Sequence, residues 1–422
     1  MLEYIDLKYK PGSDDLLCEY YIEPNGMSIE KASEHIAAES SIGTWTDLST
    51  MNKEIAKKLK PNIYSIDAKN RLVKIAYPSA LFERGNMPQI LSSVAGNVFG
   101  MKAVDALRLE DIRFPKCIVD SFAGPLYGID GIRKLSGIKK RPLVGTIVKP
   151  KVGLNSDQHA KVAFDAWVGG MDIVKDDENL SSQNFNVFED RIRKTLEMRD
   201  KAESITGERK FYMPNITAET DEMLKRAEFV KQYSGEYIMV DVLTVGWSAL
   251  QTVRGFDLNM VIHGHRAGHA ALTRNKRHGI SMLTLSKVCR LVGVDQLHIG
   301  TIVGKMEGSA LEVEEIEDEI EKGFFHPTKS AHALEQDWGN VKPVFAVCSG
   351  GLHPGLLPSI VKLLGKNIIC QFGGGLFGHP QGAFAGARAI RQALEATMKN
   401  VSLERYSRNH YELRQALDYW KQ

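Results

Sequence analysis

PLVGTIVKPK (142–151) and MDIVKDDEN (171–179) are short apolar runs that break off into lysines and acids. Runs of this length, rich in Val and Ile, read as buried parallel strands rather than helices. Six more follow at even spacing: KFYMPNITA, YIMVDVLTVG, NMVIHGHRAG, QLHIGTIVGK, PVFAVCSGG and NIICQFGGG. From Lys149 in the first to Gly373 in the last, seven steps cover 224 residues, 32 per step. A βα unit takes roughly 30 residues. Eight such units close a (β/α)8 TIM barrel, which makes the fold class α/β.

The segments between the runs carry helical spacing. Leu285, Val288, Cys289 and Val292 form one stripe and Gly293 stops it; Thr220 before Asp221 and Glu222 reads as a helix start. Ala383, Ala387, Ile390 and Leu394 make another stripe, and ELRQALDYW suggests a final helix. The acidic run EVEEIEDEIEK (312–322) reads as a solvated helix face.

Upstream, strand-like LLCEYYIEP (16–24) and NRLVKIAYP (70–78) alternate with helix-like EKASEHIAAES and PQILSSVAG. This is the pattern of a smaller α+β domain of ferredoxin-like form. A chain of 422 residues exceeds one typical core. The Gly- and Lys-rich stretch 124–142 reads as the join, which gives an N-terminal domain over 1–125 and a barrel with C-terminal helices over 126–422.

Composition excludes several classes of function. A net charge of +2 offers no broad field for nucleic acid or an anionic membrane, so any anion must be bound locally. No apolar run spans a bilayer and the N-terminus lacks a signal-peptide core, so a cytoplasmic location is expected. Five scattered cysteines read as reduced structural thiols.

In barrels of this class the site lies at the C-terminal ends of the strands. Those ends carry Lys149 and Lys151, then Lys175, Asp177 and Glu178, Asn215, Asp241, His265 and Arg266, His298, Ser349, and Gly373 and Gly374. Strand alternation aims Lys175 and Asp177 the same way, and the adjacent carboxylates suit Mg²⁺. An ion pair closing the strand is the plainer alternative. Lys149 and Lys151 repeat the spacing, as an acid–base pair with lowered pKa or as a phosphate anchor. HGHRAGH (263–269) is too loose for a zinc site, and Arg266 suits a phosphate better. Three glycines bracket Lys305 in GTIVGKMEG, as in a mobile loop; a flexible surface lysine is the alternative. SGG (349–351) and GGG (373–375) suit phosphate binding by backbone N–H groups. Gly373-x-Gly375-x-x-Gly378 matches a dinucleotide fingerprint, but no βαβ continuation follows.

Taken in order, GTIVKPKVGL, GGMDIVKDDEN, HGHRAGHA, HIGTIVGKMEG, SGGLHPG and QFGGGLFGHP resemble the barrel of the ribulose-1,5-bisphosphate carboxylase/oxygenase large subunit. AAESSIGTWT (37–46) and GNVFGMKAVDALRLEDIR (96–113) extend the resemblance over nearly the whole chain, in the style of archaeal or bacterial large-subunit-only enzymes. The resemblance implies a carboxy-lyase that converts ribulose 1,5-bisphosphate and CO2 to two 3-phosphoglycerates, with O2 competing. It implies Mg²⁺ held by Asp177, Glu178 and Lys175, the last carbamylated by an activating CO2. It makes Lys175, Lys149, His265 and Lys305 catalytic, and gives substrate binding to Glu39, Thr44, Trp45, Asn97, Lys151, Arg266, His298, Ser349, Gly350, Gly351, Gly373 and Gly374. It further implies a homodimer or higher homo-oligomer, because Glu39, Thr44, Trp45 and Asn97 reach the barrel of a neighbouring subunit. The rival reading is a related enolase or isomerase that fixes no CO2. Two local departures stand out: Thr146 sits one position earlier than the threonine of the plant pattern, and GGGLFGHP replaces the commoner GGGTLGHP.

Overall fold

The computed structural model describes residues 2–44, 46, 48–256, 258–301, 310–327 and 332–420. They divide into two compact units: 1–124 with 268–292 and 318–342, and 125–267 with 293–317 and 343–422.

The first unit is built on β1 (Asp15–Pro24), β2 (Asn62–Asp67), β3 (Leu72–Pro78) and β4 (Val104–Arg113). β1 pairs antiparallel with β3 on one side and β4 on the other, and β2 flanks β3. Helices Ile29–Glu39 and Met87–Val94 each begin at a side-chain cap, Ser28 and Asn86.

The barrel comprises β5 (Leu143–Ile147), β6 (Ile173–Lys175), β7 (Phe211–Met213), β8 (Tyr237–Asp241) and β9 (Val261–His265). Between β9 and the next barrel strand, β10 (Gly279–Ile280) joins the edge of the first sheet beside β4. The barrel continues with β11 (Gln296–Gly300). A hairpin, β12 (Phe324–Phe325) with β13 (Gln336–Asp337), precedes the last barrel strands, β14 (Phe345–Ser349) and β15 (Ile368–Phe372). The eight barrel strands run parallel in the order β7-β6-β5-β15-β14-β11-β9-β8. The bridge from Asn215 to Met239 links the two outer members. Ile129 and Ile132, from helix Gly128–Ser136, pack with the first residues of the strands, among them Leu143, Ile173, Phe211, Tyr237 and Ile369. That apolar plug fills the N-terminal end of the barrel, so chemistry is left to the C-terminal mouth. No helix among the described residues is long and apolar enough to cross a membrane.

The helix over Thr220–Gln232 starts at Thr220 as read, and the residue before it, Glu219, supplies the cap: its carboxylate accepts from the N–H groups of Asp221 and Glu222. Two other sequence expectations are corrected here. Helix Met282–Val292 is buried on all sides rather than along one stripe. This is possible because Lys287 pairs with Asp111 at 2.8 Å, and Arg290 donates to the carbonyls of Glu319, Lys322, Val341 and Lys342. The acidic helix Ala310–Glu321 is not a solvated face: Val313, Ile316 and Ile320 are buried, and so are Glu317 and Glu319. Glu319 accepts the Trp338 indole N–H at 2.9 Å, and burial pushes its carboxyl up to about 7.

Candidate active site

β6 ends at Lys175, and the following turn divides KDDE between two environments. Lys175 is fully buried, with its Nζ donating to the Asp176 carbonyl at 2.8 Å and lying 3.1 Å from Met239 Sδ. Burial holds its amine below the ordinary 10.5, although Glu178, Asp177, Asp241 and Asp176 pull the other way. The neutral, nucleophilic form is therefore within reach.

Lys149 and Lys151 do not stand on a strand, because β5 stops at Ile147. Each faces its own carboxylate: Lys149 Nζ lies 2.6 Å from Asp177 Oδ2, and Lys151 Nζ 3.5 Å from Glu178 Oε1. Burial would raise both acids, but hydrogen bonds from Lys149 and Asn179 to Asp177, and the charges of His265 and Lys175 beside Glu178, hold them below their usual values. Both are anionic at neutral pH. Two hard, ionised oxygen donors beside a convertible amine fit a divalent cation such as Mg²⁺, once that amine becomes an acid-derived anion. Among the described residues, no group of three or more His, Cys, Asp or Glu is ready to hold a metal without that change.

His265 closes the other side, its Nδ1 2.7 Å from Asp241 Oδ1 and its Nε2 3.7 Å from Glu178 Oε2. The Arg266 guanidinium lies over Gly300, and burial holds it down to about 10 although Glu312 pulls the other way. His298 Nδ1 meets Ser349 Oγ at 2.7 Å, and His298 Nε2 meets His263 Nε2 at 2.9 Å. His263 Nδ1 in turn meets Gln296 Oε1 at 3.0 Å.

The glycine loops follow β14 and β15. Gly350 and Gly351 turn with φ of 110° and 73°, conformations that side chains resist. Gly373 lies against Lys149, whose Cε is 3.4 Å from where a Cβ would stand, and Gly374 opens the short helix Gly374–Phe377. A Cβ on Gly375 would run into the Leu352 carbonyl and reach 2.8 Å from His353 Cα, so this glycine lets the two loops touch. Gly375→Ala is expected to cost about 1–3 kcal/mol of stability; an unchanged urea midpoint would show that the contact is dispensable. The replaced pair falls in this same segment, and Leu376 is fully buried. Thr146 donates to the Phe372 carbonyl at 2.6 Å, a tie between β5 and β15.

In the first unit, Asn97 Nδ2 donates to Glu39 Oε1 at 3.2 Å, and both line a cavity of about 670 Å³ with His35 and Lys102. Thr44 follows the Glu39 helix in irregular backbone. Trp45 and Lys305 lie outside the described residues.

Four supporting residues had no role assigned from sequence, although Asp241 stood among the strand-end candidates and His263 within HGHRAGH. Asp176 anchors the turn after β6, Asp241 orients His265, and His263 and Gln296 continue inward from His298. Alternation carried the signal for the last two, since each lies two residues before a candidate on the same strand.

A (β/α)8 barrel with a buried lysine, ionised acids, glycine loops and histidines at its mouth has the make-up of an enzyme site. Comparison with known proteins narrows this. The family model described as ribulose bisphosphate carboxylase large chain, catalytic domain, matches residues 128–420, and the model of its N-terminal domain matches 3–118. The chain belongs to the ribulose bisphosphate carboxylase large-chain family. It is 54% identical over 427 residues to ribulose bisphosphate carboxylase of Methanocaldococcus jannaschii, covering 100% of both chains. It is 51% identical to that of Methanosarcina mazei, covering 99% of each. Among solved structures, the dimeric archaeal Rubisco of Hyperthermus butylicus superposes with a TM-score of 0.94 at 47% identity, covering 99% of this chain and 98% of that one. The octameric enzyme of Pyrococcus horikoshii gives 0.91 at 46%, covering 99% and 96%.

Proposed function

We propose that the chain carboxylates ribulose 1,5-bisphosphate to two molecules of 3-phosphoglycerate, using a carbamate on Lys175. The observation that carries this reading is the buried Lys175 amine, held below its ordinary pKa among the ionised Asp177 and Glu178. Its nitrogen lone pair adds to CO2 and one proton leaves, so an ammonium that would repel a cation becomes an anionic oxygen donor. Mg²⁺ held by that carbamate, Asp177 and Glu178 would supply charge stabilisation for the oxyanion that develops on the sugar.

The chain's own groups then divide the work. The Lys175 carbamate takes the C3 proton, and His265, oriented by Asp241, assists proton traffic. After CO2 adds at C2, water adds to the C3 carbonyl and the C2–C3 bond breaks to release one 3-phosphoglycerate, and Lys149 protonates the C2 carbanion left on the other. Lys305 covers the added carboxylate. Arg266, with His298 beside it, takes one phosphate; Gly350, Gly351, Gly373 and Gly374, with Lys151 near, take the other; Ser349 meets a sugar hydroxyl. O2 competes with CO2 for the enediolate that loss of the C3 proton creates.

The functional division is 1–125 and 126–422, and a homodimer is the minimal working unit, with Glu39, Thr44, Trp45 and Asn97 completing the barrel site of a second copy. Relatives described as dimeric and octameric support this arrangement.

The test is incubation with Mg²⁺, labelled bicarbonate and ribulose bisphosphate. Acid-stable label is expected in 3-phosphoglycerate. Bisphosphate consumed without fixed label would replace this reading with enolisation or isomerisation.

A further inference from the structure

Gln296, His263, His298 and Ser349 form one unbroken chain of hydrogen bonds across β11, β9 and β14, with steps of 3.0, 2.9 and 2.7 Å. His263 is fully buried and His298 nearly so. Burial holds both rings neutral, well below the ordinary 6.5. A neutral imidazole has one donor and one acceptor nitrogen, so fixing one end of the chain fixes every proton in it. The Gln296 amide is oriented with Oε1 toward His263, and an amide oxygen can only accept, so in this orientation His263 Nδ1 carries the proton. His263 Nε2 must then accept, and His298 Nε2–H donates to it. His298 Nδ1 is left to accept, and only the Ser349 hydroxyl can donate. Both nitrogens of His298 are thereby engaged with neighbours.

We propose that Gln296, acting through His263 and His298, locks the Ser349 hydroxyl so that it presents lone pairs to the substrate, making Ser349 an acceptor that selects for a donating sugar hydroxyl. Gln296 and His263 are positioning residues, and the selection step rests on the carboxylase reading, in which Ser349 meets substrate. A reversed Gln296 amide would invert every link and turn Ser349 into a donor, so the orientation of this one amide sets the polarity of the chain.

Two measurements separate this inference from that reading. In the ligand-free full-length protein labelled with ¹⁵N-histidine, with signals assigned through single His→Gln variants, His263 is expected as the Nδ1–H tautomer and His298 as Nε2–H. The opposite tautomers, or a charged ring, overturn the proposal whatever the enzyme's activity. Gln296→Met, which keeps length but loses the acceptor, is expected to lower kcat about fivefold with KM for ribulose bisphosphate nearly unchanged. In a Ser349→Ala background the same change should add less than about twofold, because the two residues act as one unit. A fivefold loss that persists without Ser349 overturns the coupling. Absence of carboxylation in the wild type strikes the earlier reading and leaves the tautomer result standing. If Gln296→Met does not fold, the wild-type tautomers still decide.

Discussion

Lys175→Ala is expected to lower carboxylation at least about 1000-fold, since it removes the base and a metal-holding anion together. It should also erase any gain in activity from preincubation with CO2 and Mg²⁺. The side chain is fully buried and its hydrogen-bonding contacts are a backbone carbonyl and a thioether sulfur, while the neighbouring acids keep partners of their own: Asp177 keeps Lys149, Asp241 keeps His265 and Asp176 keeps Arg191. The variant should therefore stay folded, and its inactivity can be read as chemistry. In the wild type, the amine that meets CO2 is the free one, and only its neutral form reacts. Activation should rise about tenfold per pH unit and level off below the ordinary lysine value, because burial has depressed this pKa. The sign for stability follows from the same shift. Between the folded value and 10.5 the unfolded chain binds the proton that the folded chain refuses, so Lys175 contributes stability as pH rises through that window. Near-normal turnover by Lys175→Ala, or activation that falls as pH rises, would exclude the carbamate.

The barrel was legible because its strands are buried on both faces and so appear as separate apolar runs, and because each helix between them adds a near-constant length. The mouth was legible for a related reason: strand ends concentrate polar residues against an apolar background, which exposes Lys175, Asp177, His265 and Ser349 at once. Buried charge was not. Helix Met282–Val292 and the acidic helix Ala310–Glu321 look half-solvated in sequence because Lys287, Arg290, Glu317 and Glu319 occupy the polar positions. Sequence spacing cannot show that Asp111, 176 residues away, waits for Lys287, or that Arg290 spends its donors on four carbonyls. Lys149 and Lys151 failed differently. Period-two reasoning holds only while the strand lasts, and β5 ends before either residue. What decides their chemistry is which carboxylate each finds across the mouth, and that is set by the turn after β6.

That turn depends on Asp176, the residue in KDDE whose side chain faces away from the proposed metal site. Its carboxylate takes Arg191 Nε at 3.1 Å, the Tyr212 hydroxyl at 2.6 Å, His159 Nε2 at 3.1 Å and the Asn215 N–H at 3.0 Å. Two helices and the strand end at β7 thus converge on one buried anion. Burial alone would raise this acid, but Arg191, His159 and Tyr212 together hold it far below the usual carboxylate range. Asp176→Ala is expected to cost about 3–5 kcal/mol, because Arg191 is fully buried and would keep its charge without its counterion. A depressed carboxylate pKa gives stability that is complete above the unfolded value of about 3.9 and is lost as pH falls through the folded one. Wild type should therefore lose stability on acidification below pH ~4 through this residue, and Asp176→Ala should be flatter there. The functional consequence passes through the backbone: the Asp176 carbonyl accepts the Lys175 Nζ, so the carboxylate that fixes residue 176 also fixes the amine. Urea titrations at pH 7 and pH 3.5 decide the matter. A loss under about 1 kcal/mol at pH 7 would mean that Arg191 is satisfied by the carbonyls of Ser181 and Asn186 and that Asp176 is not the anchor of this turn.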